Sequence, residues 1–267
     1  MSDTISLRGS APPQADVRVA IARAAQATNV DFDFLLGQAR LESGLDPQAR
    51  AGSSSAAGLY QFTKGTWLAT LDRHGAEHGL GWASAAIEGG RVTDPTLRQQ
   101  IMAMRHDPAV ASLMAGELAQ DNRAALAGVL GREPDPAELY LAHFLGANGA
   151  SRFLTGLADD PDQSAAALFP EAAQANRAIF YAPDGGARSL GGVMDLMRGK
   201  MSAAMGRDGG SYPTPSGVPW APSLAPPAPT QPDRPSMAET LAATFGTSSA
   251  APPPVREAYL KLKAFGL

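Results

Sequence analysis

The chain has 267 residues, of which 44% are hydrophobic and none is cysteine. A formal net charge of -4 gives no basis for a nucleic-acid partner, and the lack of cysteine excludes disulfides, thiol nucleophiles and cysteine metal sites. No apolar run reaches the length of a membrane-spanning helix, so no transmembrane segment is expected.

Residues 1–14 read as a disordered leader around Ala11-Pro12-Pro13. They hold neither the basic n-region nor the apolar h-region of a secretory signal. A first helix is predicted over residues 17–27, with Val17, Ala20, Ile21 and Ala24 on one face. Phe32, Leu35, Leu36 and Ala39 then repeat at helical spacing, and Glu42 falls on the same apolar face. Ser43-Gly44 and Asp46-Pro47 predict that this helix stops just after Glu42. A carboxyl at the end of an apolar stripe is partly desolvated, which favours its protonated form and suits a general acid. The same position also fits a half-exposed or salt-bridged glutamate.

Residues 53–57 read as a flexible loop, and Thr63 is expected to cap a helix running to about Arg73. Residues 74–106 carry Gly75, Gly79, Gly81, Gly89 and Gly90, then one predicted helix over 95–106 capped by Thr93 or Asp94. This stretch reads either as an insertion that shapes a cleft or as a surface elaboration. Within it, His74-Gly75-Ala76-Glu77-His78 fits the H-x-x-E-H pattern of some zinc proteases. Gly75 and Gly79 oppose the stable helix that pattern needs, and no third ligand stands out, so the expectation is two loop histidines and no metal.

Asp107-Pro108 predicts a helix to about Leu130, with the proline at its first position. Asp135 and Glu138 form a capping-box pattern for the next helix, which carries Leu139, Leu141, Ala142 and Phe144 and is expected to end at Gly146. Short helices are expected over 150–157, 163–169, 171–181 and 190–205. Residues 206–236 are rich in proline, serine and alanine and read as a disordered linker. Residues 237–267 form a tail with two short amphipathic pieces, which either docks on a partner or stays untethered.

Three ordered blocks carry a resemblance. Glu42-Ser43, Leu45, Pro47 and Ala49 come first, then Ala56, Gly58-Leu59-Tyr60-Gln61 and Thr66, and far downstream Leu141-Ala142-His143-Phe144-Leu145-Gly146. Together they resemble the soluble lytic transglycosylase family, whose pattern runs E-S-x-F-x-P-x-A, then G-A-x-G-L-M-Q, then A-Y-N-x-G. Here Leu45 replaces Phe, Ser55 replaces the first Gly, Tyr60 replaces Met, and His143 stands where the family has Tyr. One extra residue falls between the first two blocks, in the loop over 50–54.

The resemblance implies an all-α, lysozyme-like domain over residues 15–205 that cleaves peptidoglycan glycan strands without water. It implies Glu42 as the one catalytic carboxylate, acting as acid and then as base, with no cofactor. Ser43, Gln61, Tyr60, Phe62 and His143 are the implied substrate-binding residues, with the rings of Tyr60 and Phe62 offered to sugars. Helix-cap and loop hydrogen bonds are the other reading of Ser43 and Gln61. Tyr60, Phe62 and His143 also fit core positions. A hydrolytic muramidase with a second carboxylate, or a non-catalytic wall-binding assembly protein, are the alternatives on the same fold. The chemistry implies the periplasm or cell envelope, by an export route that the sequence does not name. The tail is the expected contact to an envelope-spanning assembly such as a flagellum, pilus, secretion system or phage tail.

Overall fold

The structure, a computed structural model, describes residues 14–52 and 54–206, which belong to one compact unit. The linker and tail expected over 206–267 lie outside the described residues except for Gly206, as does the leader except for Gln14.

The described residues are all-α. In chain order the helices are α1 (Gln14–Thr28), α2 (Phe32–Ser43), α3 (Lys64–His74), α4 (Gly81–Ser84), α5 (Pro95–Ala103) and α6 (Pro108–Leu130). They continue with α7 (Pro136–Asp159), α8 (Ala165–Leu168), α9 (Pro170–Ala175), α10 (Arg177–Phe180) and α11 (Leu190–Met205). Two 3-10 turns, Gly75–His78 and Met104–His106, follow α3 and α5. Extended pairing among the described residues is confined to isolated bridges such as Ala57 with Phe62. No described helix is long and apolar enough to cross a membrane.

The helix starts follow side-chain caps. Asp31, Thr63, Asp94, Asp107, Asp135 and Ser189 each accept hydrogen bonds from backbone amides of the first turn. Proline occupies the first turn of α5, α6 and α7, where no intrahelical amide bond is lost. At α7 the capping box is complete. Asp135 accepts from the amides of Ala137 and Glu138, and the Glu138 carboxylate accepts from the amide of Asp135 at 2.7 Å. Glu138 is 2% exposed and also receives two hydrogen bonds from the Arg132 guanidinium, at 2.7 and 2.8 Å.

Helix α6 is the central strut. Its apolar residues Val110, Leu113, Met114 and Leu126 are buried, and it packs most extensively against α1 and α7. Helix α11 fills the space between α2 and α7 with Val193, Met194, Met197 and Met201. The acid-bearing α2 is therefore held by α1 on one side and α11 on another.

Within α7 the backbone leaves the helical region at Gly146, with φ 74° and ψ 160°, so its first helix ends there as expected and a second follows it to Asp159. A glycine tolerates that backbone, and the second helix buries Ala150, Phe153 and Leu154. Two expectations change. The helix expected over 163–169 is shorter, Ala165–Leu168. The one expected over 171–181 is broken into α9 and α10 at Asn176, whose φ of -133° is not helical.

Candidate active site

Glu42 lies in the last turn of α2, and its side chain is 19% exposed. The helix ends as the sequence predicts. Gly44 adopts the left-handed conformation and its amide donates to the Arg40 carbonyl, and the Leu45 amide reaches back to that of Ala39. This sharp exit holds the carboxylate at a helix end.

Two side chains of α7 meet Glu42. The first is His143, whose Nε2 is 3.6 Å from Glu42 Oε1, a contact longer than a hydrogen bond. The second is Tyr140, whose hydroxyl faces the Glu42 carboxylate. Burial, then the charge of Glu42 and its pull on the phenolic proton, push the Tyr140 phenol well above its ordinary pKa. The hydroxyl thus keeps its proton on the side of the carboxylate. The two rings lie nearly parallel, 11° apart in plane with centroids 6.3 Å apart. They are three residues apart on one helix and share a face.

Burial lowers the His143 pKa, against a smaller opposing pull from Glu42. The imidazole is therefore neutral at pH 7 and puts no full positive charge beside the acid. Its Nδ1 is buried with no hydrogen-bond partner. An orphaned buried N–H is rarer than an orphaned acceptor, so the proton belongs on Nε2, facing Glu42.

Ser43 and Gln61 shape the wall beside the acid. The Ser43 hydroxyl lies 3.1 Å from the Ala39 carbonyl and 2.8 Å from that of Leu59, so it ties the end of α2 to the following loop. Gln61 donates its side-chain amide to the carbonyls of Gly58 and Ala49, and adopts a φ of 47°. Both are half-buried. These bonds are the cap and loop roles that the sequence left open beside substrate binding.

Residues 58–61 form a tight turn, closed by the amide of Ala57 donating to the carbonyl of Phe62. Tyr60 and Phe62 point inward, which corrects their expected role. Tyr60 is 0% exposed and Phe62 1%, so neither ring offers a face to a sugar. Phe62 meets Trp67 edge to face at 5.2 Å. The Tyr60 hydroxyl is turned toward Ser112 of α6, and neither hydroxyl completes a well-formed hydrogen bond. Leu59 and Tyr60 are both in the core, and residues 101–106 wrap the loop from behind.

That wrapping is done by residues 101–106, the end of the segment over 74–106. Arg105 is buried and donates to the carbonyls of Ser55, Phe62 and Met102. Its pKa is lowered by burial and then by Arg50. The His106 ring takes the Pro47 carbonyl at 2.9 Å, and the Trp67 indole donates to the Ile101 carbonyl. Gly58, with φ 81°, lets the Arg105 backbone approach so closely that a Cβ would sit 1.9 Å from its carbonyl oxygen. Residues 101–106 thus buttress the loop that follows Glu42.

His74 and His78 turn toward α6. His78 Nε2 is 2.6 Å from Glu117, His74 Nε2 is 3.1 Å from Asp121, and Arg73 pairs with Asp121 at 2.7 Å. The two histidines stand at the end of α3 and in a 3-10 turn, not on one regular helix. Sequence reasoning missed Tyr140 and Arg105. Tyr140 had a signal, its place one helical turn before His143; Arg105 had none. No protein-family model matches the chain.

Proposed function

We propose that the chain is a lysozyme-like lytic transglycosylase of peptidoglycan. The observation that carries this reading is the constellation at the end of α2, a partly exposed Glu42 touched by the Tyr140 hydroxyl and the neutral His143 imidazole. A single carboxylate held by neutral donors suits a group that gives a proton and then takes one back.

Glu42 protonates the glycosidic oxygen between N-acetylmuramic acid and N-acetylglucosamine. The substrate's own acetamido group stabilises the oxocarbenium-like centre. Glu42, now ionised, accepts the Tyr140 hydrogen bond, and the His143 Nε2–H dipole points toward it. It then removes the proton from the muramoyl 6-hydroxyl, whose oxygen closes the 1,6-anhydro ring. The groups that meet Glu42 are a phenol and an imidazole, both neutral at pH 7. Action on the wall places the protein in the cell envelope, where local opening of the wall would serve an envelope-spanning assembly.

The test is a digest of purified peptidoglycan by wild type and Glu42→Gln, with mass spectrometry of the soluble products. Products lighter by one water than the reducing sugars, absent with Glu42→Gln, are expected. Reducing-end products would make the protein a muramidase, and no release by folded wild type would favour a non-catalytic wall-binding role.

A further inference from the structure

Two cavities of about 510 and 550 Å³ lie between the starts of α2 and α7 and the end of α11. They share Asp33, Pro136 and Met205, so they form one groove. Val30, Leu139 and Met205 give it an apolar floor, since each packs on the core but is only partly buried. Each cavity has the size of a pocket that takes a ligand or a few side chains of a peptide.

Charge and chain direction name the occupant. On the rim, Glu133 pairs with Arg123 at 2.6 Å and Asp135 with Arg198 at 3.5 Å. Asp31 caps α2 and accepts from the Phe34 amide. Asp33 lines both cavities, is exposed, and forms no ion pair among the described residues. The described chain ends at Gly206, in the wall of this same groove, and the next residue in the sequence is Arg207. Gly209-Gly210 then permit a reversal of direction, and Tyr212-Pro213-Thr214-Pro215 follow. Six extended residues span up to about 20 Å, so Tyr212 is tethered within reach of the groove that Gly206 borders.

We propose that residues 207–215, the first part of the expected linker, dock back into this groove, with the Tyr212 ring on Leu139 and Met205 and Arg207 beside Asp33. The composition suits that role. A tyrosine followed by prolines offers a large amphipathic ring on a chain with little conformational freedom to lose. The groove takes in the first turns of α2 and α7, and the later turns of these two helices carry Glu42 and the Tyr140–His143 pair. Docking therefore braces both helices from outside the candidate site. It does not depend on the peptidoglycan reading above.

The test uses the full chain, whose lack of cysteine lets an introduced pair report alone. Pro136→Cys is combined with Ser211→Cys, equilibrated in a glutathione buffer, alkylated, and the bridged fraction read by mass spectrometry. The same pair carrying Tyr212→Ser keeps the tether and removes the anchor. With Tyr212 present, the effective concentration for bridging is expected to be at least about tenfold higher. Ser202→Cys with Ser211→Cys is a second pair that leaves the start of α7 untouched, since Ser202 lines the groove from α11. Bridging within one chain that needs Tyr212, in either pair, supports the docking. Equal bridging with and without Tyr212 in both pairs overturns it. A bridge that needs Tyr212 but joins two chains, seen as dimers on a nonreducing gel, also overturns it and makes a second copy the occupant.

Discussion

Replacing Tyr140 by phenylalanine isolates one hydroxyl. Tyr140 is 9% exposed and its ring is packed beside His143, so Phe keeps the shape and removes only the donor to Glu42. A hydrogen bond to an ionised group contributes about 1.5–3 kcal/mol net. This donor serves the carboxylate that forms when Glu42 gives up its proton, so its loss falls on the transition state and not on substrate binding. At 1.36 kcal/mol per factor of ten, kcat should drop roughly 10- to 150-fold with KM little changed. The assay is the initial rate of anhydromuramoyl release from purified peptidoglycan, with circular dichroism and thermal unfolding to show an intact fold. A second readout is alkaline absorbance titration. In Glu42→Gln the negative charge that helps hold up the Tyr140 phenol is gone, so its ionisation should move down toward the ordinary value, while burial still keeps it raised. A folded Tyr140→Phe with kcat within twofold of wild type would refute the reasoning.

Three further outcomes are expected. The unfolded chain protonates His143 near pH 6.5, but the folded chain does so only lower, so the unfolded state binds more protons below about pH 6.5. Stability should therefore fall with pH there, by up to about 1.4 kcal/mol per pH unit, and denaturant titrations should show a shallower fall in His143→Gln. At Glu138, burial would raise the carboxyl, but Arg132, the Asp135 amide and Arg198 outweigh it and hold the pKa low. The Glu138 ion pair and cap are thus complete above about pH 4.3 and lost as pH falls through the lowered folded value. Glu138→Gln should lower the thermal midpoint at pH 7 by roughly 2–4 °C, and the gap should close in acid. Gly58→Ala should cost at least about 2 kcal/mol in urea unfolding, because it combines a positive φ with a 1.9 Å clash against Arg105, and a wild-type midpoint would contradict the buttress.

Local chemistry made the helices legible. Thr63, Asp94, Asp107 and Asp135 announce their helices because a cap acts within three residues of itself. The end of α2 was legible for the same reason, since Ser43-Gly44 stops the helix whatever packs on it. The break at Gly146 was legible too, because a positive φ favours glycine, and Phe153 and Leu154 bury the helix that follows it. Arg105 was illegible for a stronger reason. Its partners are carbonyls of Ser55 and Phe62, and backbone carbonyls leave no mark in a sequence.

The same distinction explains which site residues moved. Tyr60 and Phe62 sit in the block that most resembles a catalytic signature, yet both are core. The turn from Gly58 to Gln61 must pass under residues 101–106, so its aromatic side chains become the ballast that fixes its position. What it presents near the acid is backbone, held by Ser43 and Gln61. The polar neighbours of Glu42 come instead from α7, a helix that begins at residue 136 and depends on the buried Glu138 for its first turn. Glu138, Tyr140 and His143 lie within two turns of each other, so a change at the cap is transmitted along a rigid rod to the groups that meet the acid. Damage at Glu138 should therefore lower activity with stability, whereas damage at Tyr140 lowers activity alone.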